Sequence, residues 1–116
     1  LTGALAGGTW PVDEDGHAIG RDPRECSLVL PDSITEVSRR HCTVRWDSRA
    51  GCFMLTDDGS TNGTFLADGR RVPDGRSCRL EPGEAFFLAA PTLSMRVALR
   101  PSGGTPGVAA PVDGPR

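Results

Sequence analysis

Residues 41–46, His41-Cys42-Thr43-Val44-Arg45-Trp46, alternate: Cys42, Val44 and Trp46 fall on one side of an extended chain, Thr43 and Arg45 on the other. A period of two with one apolar face describes a strand that covers a core on one side and meets water on the other. Working outward, short apolar runs punctuated by turn signals occur at 10–12, 17–21, 27–30, 52–56, 64–67, 71–72, 77–80, 85–89 and 93–100. In the last of these, Met95, Val97 and Leu99 alternate with Arg96 and Arg100. Asp15-Gly16, Asp68-Gly69 and Pro82-Gly83 supply turns between the runs, and the first two are of the type that closes β-hairpins. No segment carries a helical period of useful length. The spacing predicts an all-β chain, an antiparallel β-sandwich of about ten to eleven short strands, with long connections at 31–40 and 57–63 forming binding loops at one end.

At 116 residues there is room for one domain with a modest core. Gly 15 and Pro 10 favour turns over long helices, consistent with the strand reading. The net charge of −2 gives no overall basic field of the sort that draws proteins to nucleic acid or anionic membranes. No run reaches the roughly 20 apolar residues of a membrane span. All 13 basic residues are arginine, a usage that suggests a GC-rich bacterial genome and also supplies the planar fork that grips phosphate with parallel hydrogen bonds.

Cys26, Cys42, Cys52 and Cys78 form no C-x-x-C pair, so no metal site is expected. Buried reduced thiols are the favoured reading, with a Cys42–Cys52 bridge across neighbouring strands as the alternative in an exported protein. Residues 1–8 read as a flexible linker, and residues 101–116, with four prolines and four glycines, as a disordered one. The expected domain spans 9–100, a single unit of a larger protein.

Three strings occur in order along this scaffold: Gly20-Arg21, Ser38-Arg39-Arg40-His41 and Gly59-Ser60-Thr61-Asn62-Gly63-Thr64. Taken singly they are ordinary turn chemistry. Together, in a strand-rich setting, they resemble the signatures of the forkhead-associated (FHA) domain, a phosphothreonine-binding module, over about residues 9 to 99. The resemblance implies that Arg21, Ser38, Arg39, Thr61 and Asn62 bind the phosphopeptide, and that Gly20, His41, Ser60 and Gly63 support the site. Arg21 and Ser38 would grip the phosphate, which carries about −1.5 to −2 charges. Asn62 would hold the peptide backbone through its amide, and Thr61 would shape the pocket. His41 would tie the two loops together. Its nearness to Ser38, with Asp57 or Asp58 as a third member, does not make a hydrolase, since no oxyanion hole or substrate pocket is signalled.

The sequence departs from the family pattern in two places. Asp58 stands where an apolar residue commonly precedes Gly-Ser, an acid that would lower the potential near the phosphate or point to solvent. The hairpin at Ala67-Asp68-Gly69 is a residue longer than usual and lacks an asparagine that can touch the peptide. Loops 31–37, 47–51 and 89–93 are expected to surround the site, and Arg45, Arg49, Arg70 and Arg71 to favour acidic residues in the ligand. The implied function is non-catalytic recognition of proteins phosphorylated by Ser/Thr kinases, without cofactor, in the cytoplasm. The alternative is phosphate-independent docking within a larger protein.

Overall fold

The alternating stretch forms the middle of its sheet: β4 (Cys42–Asp47) pairs in antiparallel register with β5 (Cys52–Asp57), Val44 facing Leu55 and Trp46 facing Phe53. The computed structural model describes residues 9–90, 93–99 and 106–109. Around that hairpin lie β2 (His17–Gly20) on one side, with β3 (Leu28–Val29) beyond it, and β7 (Ser77–Leu80) on the other, giving the order β3-β2-β4-β5-β7. The second sheet contains β1 (Thr9–Pro11), β6 (Thr64–Leu66), β8 (Ala85–Leu88), β9 (Ser94–Leu99) and β10 (Pro106–Ala109), in the order β1-β10-β9-β8-β6. No α-helix occurs among the described residues.

The two sheets close over one apolar core. Ile19, Leu28, Val44, Phe53 and Leu55 from the first meet Phe86, Leu88, Met95, Val97 and Val108 from the second, all at most 1% exposed. The period of two explains which residues these are. Phe53 and Leu55 on β5 point inward while Met54 and Thr56 do not, and Met95 and Val97 on β9 point inward while Arg96 does not. Trp46 packs edge-on against Phe53, with ring centroids 4.9 Å apart.

Three expectations need correction. Asp15-Gly16 does not close a hairpin: β1 pairs with β10 and β2 with β4, so this turn carries the chain from one sheet to the other. The segment read as a disordered tail contains β10, which lies between β1 and β9. The linker expected at residues 1–8 lies outside the described residues. A Cys42–Cys52 bridge is excluded by register, because Cys42 faces Asp57 and Cys52 faces Asp47 at opposite ends of the hairpin. At about 3.4 Å per residue those ends are roughly 17 Å apart, far beyond disulfide reach. All four cysteines are free thiols, and Cys26, Cys42 and Cys52 are buried.

Register also fixes which loops share an end. β2 and β3 run parallel, Cys42 and Asp57 face each other, and Thr64 faces Leu88, so the connections 21–27, 30–41 and 58–63 all leave one end of the sandwich, as do Ala89 and Ala90 after β8. The 47–51 turn leaves the other end and does not surround the site.

Candidate functional site

Gly20 ends β2 against the backbone of Arg39. A Cβ there would lie 2.1 Å from the Arg39 carbonyl oxygen, so only glycine permits the approach. The following residue, Arg21, is thereby delivered to the foot of the 31–37 loop. Its Nε donates to the Val37 carbonyl at 2.6 Å, and its Nη1 donates to the Asp32 carboxylate at 2.9 Å. The Arg21 side chain is 20% exposed and the Asp32 side chain 91%. Among the described residues Nη2 has no partner. Arg21, Asp22, Pro23, Arg24, Asp32 and Arg39 line an open cleft of about 200 Å³.

Ser38 joins this corner to the second loop. The Arg21 amide donates to the Ser38 carbonyl, and the Thr61 amide donates to Ser38 Oγ at 3.0 Å. With its oxygen accepting from Thr61, the Ser38 hydroxyl proton is free to be donated outward. Asn62 Nδ2 donates to the Glu36 carbonyl at 2.8 Å, which leaves its second N–H and its own carbonyl available. The side chains of Arg39, Thr61 and Asn62 are exposed beside these bonds. Arg40 is committed elsewhere, its guanidinium between Asp58 and Glu25 at 3.4 Å from each.

His41 is fully buried beneath both loops. The Ser38 amide donates to its Nδ1 at 3.0 Å, so that nitrogen is the acceptor and the proton sits on Nε2, which donates to the Gly63 carbonyl at 2.8 Å. Burial lowers the imidazole pKa below its ordinary 6.5, although the bond to Gly63 and the nearby Asp57 and Asp58 carboxylates oppose that shift. A ring held in one tautomer by two backbone groups, with no free nitrogen, is a strut and has no lone pair left to act as a base.

The 58–63 loop is built on a residue that the three strings do not contain. Asp57, 2% exposed, accepts from Ser60 Oγ at 2.6 Å, from Thr64 Oγ1 at 2.8 Å, and from the Gly59 and Ser60 amides at 2.8 Å each. Burial raises its carboxyl pKa, but the bonds from Ser60, Thr64 and Gly59 outweigh that and hold it below the usual 3.8. Ser60 Oγ in turn accepts from the Gly63 amide. The signal for this role was in the strand period: Asp57 is in phase with the inward residues Phe53 and Leu55, whereas Asp58 is not. Asp58 neither points into solvent nor sits against the exposed donors of the site. It accepts from Thr43 Oγ1 at 2.6 Å and from Arg40. Gly63, at φ +93°, completes the turn, and its carbonyl also accepts from the Ala89 amide.

The structure thus gathers Arg21, Ser38, Arg39, Thr61 and Asn62 on three adjoining connections, with Gly20, His41, Ser60 and Gly63 beneath or within them. The exposed surface they leave combines a guanidinium, a hydroxyl and amide groups, the donors an anion on an extended peptide requires. A separate cavity of about 220 Å³ is lined by Val12, Ile19, Leu28, Val44 and Val108 with His17 and Ser27, and no guanidinium lines it.

Known proteins share parts of this sequence and its fold. Over 61 residues the chain is 42% identical to the FHA domain-containing protein FhaA of Mycobacterium tuberculosis, which covers 53% of this chain and 11% of that protein. Over 81 residues it is 35% identical to the Arabidopsis thaliana homolog of protein phosphatase 1 regulatory inhibitor subunit PPP1R8, covering 70% of this chain and 21% of that protein. The chain therefore spans only a minor part of either relative. In structure it resembles the FhaA FHA domain complexed with the intracellular domain of Rv3910, at 31% identity and TM-score 0.51 over 70% of this chain and 90% of that one. It also resembles the N-terminal FHA domain of Saccharomyces cerevisiae Rad53p in complex with a phosphothreonine peptide, at 22% identity and TM-score 0.54 over 88% and 65%. The pattern of the FHA domain matches residues 17–88, most of the sandwich and both loops, and the chain belongs to the FHA domain family.

Proposed function

We propose that this domain recognises phosphothreonine in a partner protein and contributes binding without catalysis, in the service of Ser/Thr kinase signalling. The observation that carries the reading is the pairing of Arg21 and Ser38 at the junction of two loops, a cation with unused donor capacity beside a hydroxyl whose proton is free. Arg21 would carry the main charge-assisted bonds to phosphate, Ser38 and Arg39 would add donors, and Asn62 would hold the backbone of an extended ligand. Thr61 would line the pocket, where burial of the threonine methyl is worth about 1 kcal/mol over serine.

The chain's lysine-free usage, together with a mycobacterial relative, supports a bacterial source. The cytoplasm is the compartment where kinases would supply the ligand. No helix among the described residues is long and apolar enough to cross a membrane. The partner is taken to be protein, with no role for nucleic acid or membrane contact, and the domain to act as a monomeric unit of a larger chain. The balanced net charge of −2 supports that choice.

Titration with matched phosphothreonine, phosphoserine and unmodified peptides, followed by amide shifts, tests the reading. Shifts at Arg21, Ser38, Thr61 and Asn62 are expected only with phosphothreonine, and S38A is expected to abolish capture. Equal binding of unmodified peptide, or capture that survives S38A, would favour phosphate-independent docking.

A further inference from the structure

The four arginines that flank the loops in sequence are not equivalent in space. Arg49 lies in the 47–51 turn at the far end of the sandwich, and Arg45 lies partway down β4 towards it. Arg70 is spent on Asp68, at 2.8 Å in the hairpin that follows β6. Arg71 differs from all three. It bridges to Phe65 across that hairpin, which returns its side chain to the 58–63 loop. A Cβ on Gly63 would lie 2.9 Å from Arg71 Nε, 3.1 Å from Arg71 Cζ and 3.0 Å from Phe65 Cε1, so guanidinium and ring both lie against the glycine that follows Asn62.

Arg71 is exposed and makes no ion pair among the described residues. Acids near this loop make no ion pair with Arg71. Asp57 is filled by four loop donors, and Asp74 lies near Gly59. Phe65 is itself braced from behind by a stack on Phe87, with ring centroids 5.1 Å apart and planes within 13°. An exposed cation without an acidic partner among the described residues, laid against the glycine of the loop that would hold the ligand backbone, is placed to read charge in that ligand.

Resting on the phosphothreonine reading above, we propose that Arg71 is a specificity-determining residue that pairs with an acidic side chain flanking the phosphothreonine in the same ligand. The bound segment would be drawn across Asn62 towards the Phe65 ring, and an acidic residue there would meet a guanidinium that needs no release from a prior partner.

The test is fluorescence anisotropy with phosphothreonine peptides in which each flanking position in turn is Ala, Glu or Lys, using wild type, R71A, R71E and the far-end control R49A. In the wild type, Glu at one flanking position is expected to bind about three- to fivefold tighter than Ala, the scale of an exposed ion pair. R71A should level that preference while leaving affinity for the all-Ala peptide within twofold, R71E should turn it towards Lys, and R49A should change nothing. Wild-type capture with no charge preference at any position, or a preference that survives R71A, overturns the proposal alone. Failure of the wild type to capture any phosphopeptide overturns the recognition reading and this one together.

Discussion

The 58–63 loop and the 31–37 loop face the same surface and are held by opposite means. The first is braced at its foot by Asp57, the last residue of β5, whose buried carboxylate gathers donors from Gly59, Ser60 and Thr64. The second relies on groups outside itself: Val37 and Ile34 pack onto the core, and its backbone carbonyls accept from Arg21 and Asn62. A buried acceptor makes one loop stiff whether or not a ligand is present. The other loop depends on the very side chains proposed to engage the ligand. Phosphate binding would compete with Asp32 for Arg21, so the 31–37 loop should respond to ligand while the 58–63 loop stands still.

Breaking the stiff side should cost most. D57A leaves two amides and two hydroxyls without their acceptor, and about 3 to 5 kcal/mol of unfolding free energy should be lost in urea denaturation. A loss under 1 kcal/mol would mean that the loop does not depend on Asp57.

Acid should act on the same struts more gently. The folded-state pKa of His41 is lowered, so as pH falls below about 6.5 the unfolded chain takes up a proton that the folded one refuses. Stability is full above that point and falls on the way down, with a slope of at most about 1.4 kcal/mol per pH unit for one proton. The Asp57 pKa is also lowered, so its contribution, present above about 3.8, is lost below that as pH falls through the folded value. Denaturation curves between pH 7 and 5 should show the first slope in the wild type, and H41A should flatten it.

The smallest effect lies on the compliant side. Asp32 is highly exposed and occupies Arg21 as an anionic ligand would. D32N should therefore tighten phosphopeptide binding about two- to fivefold, the range of an exposed ion pair, with stability little changed. Weaker binding in calorimetry would show instead that Asp32 orients Arg21 for its ligand.

Much of this comparison is legible in the sequence. Alternation placed β4 and β9, a short apolar run placed β5, and the three strings placed Arg21, Ser38 and Asn62 on loops that do adjoin. What escaped has physical causes. β10 begins Pro106-Gly107, two residues that disfavour strands, and its place comes from pairing on both edges with β1 and β9, which no local window contains. The Asp15-Gly16 turn has hairpin chemistry, yet the partners of its flanking strands lie elsewhere. The function of Asp58 as an anchor for Thr43 and Arg40 depends on a fold that brings β4 against β5.

The pairing of β1 with β10 sets how this domain would carry load. Thr9 faces Ala109, so polypeptide entering the first strand and polypeptide leaving the last depart from a single point on the sheet edge. A pull applied between those two flanks would open the ladder one rung at a time from that point, instead of shearing all its rungs at once.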